Sequence, residues 1–164
     1  MRALAWLVLA LPLAAENPLV ERGHSHFYNL EYDEALADFE QADREHPEVP
    51  DLHNHIAKAL VFREMFRDGA LESELVSGNN SFLRRPKLNP TPEVRARFLA
   101  EIRQAMDLAQ SRLKQNPRDT AALYAMGISY GLRCNYFFLV EKAWKKSLDD
   151  ATAARKLHNR VSEI

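Results

Sequence analysis

Two short stretches hold most of the side chains able to do chemistry: "GHSH" (Gly23 to His26) and "LHNH" (Leu52 to His55). Paired imidazoles suggest a metal site or proton transfer. On a helix, however, residues two apart point in nearly opposite directions, so neither pair can chelate by itself. A metal site needs ligands from both stretches, such as His24 with His55, plus a third that the sequence does not supply. His26 and His53 are expected to hydrogen-bond within the core. If His24 and His55 face a binding surface, affinity should respond to pH near about 6 to 7.

Catalytic constellations are otherwise missing. There is no HExxH, no GxSxG and no phosphate-cradling glycine loop, and the carboxylates fall on helix faces beside basic neighbours, where solvation is the default role. The single cysteine, Cys134, has no partner for an internal disulfide and is expected to be a small buried hydrophobe. No catalytic, metal or cofactor-binding residue is therefore assigned, and the chain is expected not to be an enzyme. With 22 basic and 23 acidic side chains the net charge is −1, so no sequence-wide field attracts nucleic acid. A length of 164 residues, 46% hydrophobic and 27% charged, suits one compact domain with a real core.

The beginning of the chain differs from the rest. In "MRALAWLVLALPLAA", Arg2 precedes an apolar run from Ala3 to Leu13, followed by Ala14 and Ala15. This is the layout of a secretory signal peptide over residues 1–15, too short for a comfortable membrane span. An uncleaved anchor and a buried N-terminal helix are the alternatives. Cleavage is favoured because Asn17 and Pro18 suit the cap and first position of a new helix. The expectation is an exported bacterial protein, periplasmic or secreted, with no transmembrane span once the leader is removed.

Beyond Pro18 the apolar residues recur at three and four, with turn residues between such stretches, so an all-α fold is expected. Asn17 to about Asn29 forms one helix and Tyr32 to about Glu45 its antiparallel neighbour, forced together by the short link. Gly23, Ala35 and Ala42 let the two approach, Tyr32 and Phe39 fill the space around them, and Pro47 ends the pair. "DLHNHIAKALVFREMF" (Asp51 to Phe66) is a third helix. Thr91 and Pro92 open a fourth that runs to about Gln115, with Val94, Phe98, Ile102, Ala105, Ala109 and Leu113 on one face.

Gly23, Tyr32, Ala35, Phe39, Ala42 and Pro47 resemble the tetratricopeptide repeat, a helix–turn–helix unit of 34 residues. Leu123, Gly127, Tyr130 and Tyr136, preceded by Pro117, repeat the offsets, except that Leu139 stands where a small alanine is usual. The resemblance implies a short right-handed superhelix over residues 16–164. Repeat one covers about 16–49, repeat two about 50–117 with an irregular insertion at 67–91, and repeat three about 118–164. A degenerate repeat hidden in the gap is the alternative to the split, which is favoured because "SGNN" and three prolines make a poor helix.

Proteins of this kind mostly hold a peptide or another protein in a concave groove lined by the first helix of each pair. The family register places Val20, His24, Phe27 and Tyr28 there from repeat one. Asn54, His55, Lys58 and Phe62 follow from repeat two, and Tyr124 and Ile128 from repeat three. The positions that clamp a terminal carboxylate in some relatives correspond to Val20, His24, His55, Ala121 and Ala125; none is cationic, so that activity is not implied. The remaining surface suits an amphipathic or aromatic-bearing segment, unless the aromatics simply pack between repeats.

Within the insertion, Arg84, Arg85 and Lys87 are either a solvated basic bend or a second partner contact. Apolar Leu75, Val76, Phe82 and Leu83 are expected to anchor it on the body. From Tyr136 a helical pattern continues to Ile164 without a breaker, 29 residues or about 43 Å if fully helical. Its extra length covers the last apolar surface, a second copy does so in a homodimer, or the chain is the front part of a longer, envelope-associated repeat protein in which it acts as a spacer. The absence of a stop signal in "SEI" favours the last.

Overall fold

The computed structural model describes residues 17–71 and 88–164. The leader at 1–15, the basic trio Arg84, Arg85 and Lys87, and the apolar anchors Leu75, Val76, Phe82 and Leu83 lie outside the described residues. Among these there are six α-helices and no strand: α1 Pro18–Tyr28, α2 Tyr32–Glu45, α3 Pro50–Arg67, α4 Pro92–Gln115, α5 Thr120–Asn135 and α6 Trp144–Ser162. None is long and apolar enough to cross a membrane.

Local chemistry sets the helix starts. Asn17 Oδ1 accepts the Leu19 amide at 2.9 Å, Thr91 Oγ1 accepts that of Val94 at 3.4 Å, and Asp119 Oδ1 accepts that of Ala122 at 3.0 Å. Prolines 18, 50 and 92 occupy first-turn positions, where a missing amide removes no helix bond. Two ends share one device. After α1, Leu30 turns left-handed (φ 66°), its amide bonds the Phe27 carbonyl at 3.2 Å and that of Glu31 bonds His26 at 2.9 Å. After α3, Gly69 (φ 64°) does the same, with Ala70 reaching back to Met65 at 2.7 Å.

Consecutive helices pack as antiparallel pairs, α1 on α2, α3 on α4 and α5 on α6, while α3 also touches α2 and α5. Gly23 is buried, and Ala35, Phe39 and Ala42 are fully enclosed, with the Phe39 ring against the Gly23 backbone. The central α3 buries opposite sides. Ile56, Ala59 and Leu60 join Phe27, Tyr32, Leu36 and Phe39 in one cluster. Ala57, Val61 and Met65 join Phe98, Ile102, Tyr136 and Val140 in another.

The chain departs from expectation after α5. Instead of one helix from Tyr136 to Ile164, Tyr136–Val140 forms a π turn, and α6 begins only at Trp144. The Glu141 amide bonds the Tyr136 carbonyl at 3.2 Å, Lys142 turns left-handed (φ 53°), and the Ala143 amide reaches Phe137 at 2.7 Å. Packing accounts for the widened turn: it buries Val140 and stacks Tyr136 on Phe98, with centroids 4.3 Å apart and planes at 18°. The detour also shifts the register. His158 of α6 lies against Gly127 as Phe39 lies against Gly23. Along α6, Trp144 and Leu148 are exposed, followed by polar exposed Asp149, Thr152, Arg155, Lys156, Asn159 and Arg160.

Candidate functional site

Ten residues are expected from the sequence to share one surface, and six of them form a continuous patch on α1 and α3. Residues 24, 27 and 28 share one side of α1, and 55, 58 and 62 share one side of α3. His24 meets His55 edge to face at 4.6 Å, Phe27 meets Phe62 at 5.1 Å, and Lys58 Nζ lies 4.4 Å from the Phe27 ring centroid. Tyr28 stands beside them, 5.6 Å from Phe27 and 74% exposed. Val20 is half-buried against the same cluster. Phe27 itself is only 7% exposed and forms the floor of the patch.

Asn54 is a correction. At 1% exposure it cannot face a partner, because it ties α3 to α5. Its Nδ2 donates to the Ala125 carbonyl at 2.9 Å and to Asp51 Oδ1 at 3.2 Å, while Oδ1 accepts from Ser129 Oγ at 2.8 Å. A buried amide needs such partners. Of the remaining two, Tyr124, half-exposed, meets His158 of α6 at 5.5 Å, and Ile128 is half-buried on α5.

The histidines divide into unlike roles. Burial first, then the neighbouring His24 and Lys58, push the His55 imidazole down to about 3. His55 is therefore neutral near neutrality and does not supply the pH response expected near 6 to 7. His53 is buried between three helices, with Nδ1 2.8 Å from Glu101 Oε2 and Nε2 3.4 Å from Asp43 Oδ1. The Glu101 hydrogen bond holds its value above the ordinary one, against burial, with Asp43 assisting. His26 lies near the surface, with Nδ1 2.6 Å from Glu31 Oε2. Among the described residues, no group of three potential metal ligands is gathered. Cys134 is only half-buried, not enclosed as expected, and burial raises its thiol above the usual range.

The cations on this frame are mostly committed to carboxylates. Arg22 makes a two-point contact with Asp38, one bond at 2.8 Å, and holds that carboxyl below its ordinary value. Arg133 grips Asp150 at 2.8 and 2.7 Å, Arg112 grips Asp119 at 2.9 and 3.1 Å, and Arg97 pairs with Glu40. Sequence reasoning missed a cleft of about 570 Å³ between α4, the end of α5 and α6. It is floored by Leu99, Ile102, Met106 and Phe137 and rimmed by charges of both signs. Its α6 wall follows the left-handed turn at Lys142, which no glycine or proline in the sequence marks.

No family model and no curated protein matches this chain. Function therefore rests on the α1–α3 patch and its surroundings.

Proposed function

We propose that this chain is a non-catalytic protein-binding module of the tetratricopeptide-like kind, exported by its leader, that holds a protein or peptide segment against the α1–α3 face. Three antiparallel helix pairs lie side by side with α3 between α1 and α5, an arrangement that suits such a repeat scaffold. The observation that carries the reading is Tyr28: a large aromatic ring, 74% exposed, beside Phe62 and Lys58 on a packed floor of Phe27. Amphipathic aromatic rings on a rigid base are the usual anchors of protein interfaces. The Asn54–Ser129 network and the His53 bridge supply the rigidity, holding α3 against its neighbours.

Site-specific photo-crosslinking in the native compartment tests this. A photoreactive residue at Tyr28 is expected to give a discrete protein adduct that Phe62→Ala abolishes. The same probe at Gln110, exposed on α4, is expected to give none. Equal labelling from both positions, or an adduct indifferent to Phe62, would move the binding surface elsewhere.

A further inference from the structure

Lys58 is half-buried, yet no carboxylate meets it among the described residues. Three half-buried arginines, by contrast, are matched: Arg63 to Asp33 at 2.7 Å, Arg112 to Asp119 at 2.9 Å and Arg133 to Asp150 at 2.7 Å. The Lys58 ammonium instead rests over the Phe27 ring, in a setting where burial alone lowers its pKa and no negative neighbour opposes that. A partly desolvated ammonium of this kind has given up water without gaining a counter-charge. Its neighbours Tyr28, His55 and Phe62 bring no second permanent cation, so the site matches one negative charge and not a phosphate dianion.

Building on the function proposed above, we propose that the α1–α3 face recognises a short peptide segment in which a carboxylate side chain stands close to an aromatic or large aliphatic one. The carboxylate pairs with Lys58, and the apolar side chain packs on Tyr28 and Phe62. This differs from a terminal-carboxylate clamp, whose five corresponding positions carry no cation here. Burial on binding strengthens the ion pair by excluding water, while the aromatic walls set how near the acid must lie to the apolar anchor.

A displayed library of random short peptides, selected on the full chain, tests the proposal. Enriched peptides are expected to carry Asp or Glu within a turn of Phe, Trp or Leu. Synthesised with amidated ends, they should lose about tenfold in affinity when the acid becomes its amide, and as much on Lys58→Met. The amide substitution needs no protein variant, so a folding defect in Lys58→Met cannot decide the outcome. Enriched peptides without acids, or affinities unchanged by both substitutions, would overturn the carboxylate pairing. The groove itself survives that result if Tyr28→Ala and Phe62→Ala still abolish binding. If phosphoserine in place of the acid tightens binding about tenfold, the anion is a phosphate and the proposal falls. If no peptide is enriched, or none is sensitive to Tyr28 and Phe62, both this pairing and the binding face are refuted.

Discussion

The Phe39 ring presses so closely on Gly23 that a methyl group added there would stand 2.6 Å from the ring. Phe39 is fully enclosed and has nowhere to move. Gly23→Ala therefore forces α1 and α2 apart and is expected to destabilise the fold by about 1–3 kcal/mol, despite the better helix propensity of alanine. Gly131 is the internal control: an added Cβ there meets nothing within 4 Å. Gly131→Ala should stabilise by up to about 1 kcal/mol. Urea unfolding of the two variants checks the sign of each change. A neutral Gly23→Ala would mean that the first two helices are not in close contact.

Asn54 and Ser129 form the buried polar joint between α3 and α5, and Ser129 Oγ lies within reach of a second acceptor, the Ala125 carbonyl, at 3.0 Å. Asn54→Ala strands buried partners and should cost about 1–3 kcal/mol. Ser129→Ala should cost less, and the double variant less than the sum, because the two share one hydrogen bond. Strict additivity in equilibrium unfolding would show that the joint does not act as a unit.

How far such features are legible from sequence depends on whether their cause is local. The crossing of α1 and α2 is legible because Gly23, Ala35, Phe39 and Ala42 fall within one helical hairpin, so spacing alone places them together. The role of Asn54 is not. An asparagine on a helix is ordinarily solvent-facing, and the carbonyl that claims it belongs to Ala125, far along the chain. The break before α6 is equally hidden. No glycine or proline marks it: Lys142 takes the left-handed turn because Tyr136 and Val140 are drawn into the core beside Phe98. Within the binding patch, residue types and helix phase assemble His24, Tyr28, Lys58 and Phe62. The unmatched charge on Lys58 appears only once every neighbour is in place.

Left-handed backbone at Lys142 carries a steric penalty that glycine avoids, so Lys142→Gly is expected to raise stability by about 1 kcal/mol. Gly69 is the converse. Its φ of 64° closes α3, and Gly69→Ala should lower stability by about 1–2 kcal/mol. Thermal unfolding distinguishes the pair. If both changes lower stability equally, left-handed strain is not what governs these turns.

His53 and His55 act in opposite directions on stability against pH. The His55 value falls from 6.5 to about 3 on folding, so the unfolded chain binds a proton that the folded one refuses. Its contribution is complete above the unfolded value and is lost as pH drops from 6.5 toward about 3, with a limiting slope of about 1.4 kcal/mol per pH unit. His53 is raised on folding, chiefly by Glu101, so its contribution is complete below 6.5 and is lost as pH rises through the folded value. Within the acid window Asp38, held low by Arg22, adds its own loss only below 3.8. Urea unfolding across this range should therefore show His55→Phe flattening the arm between about pH 6 and 4, while His53→Gln leaves that arm and flattens the fall above neutrality. Identical acid arms in native protein and His55→Phe would mean that His55 is solvated, and the packed floor beneath Tyr28 and Lys58 would go with it.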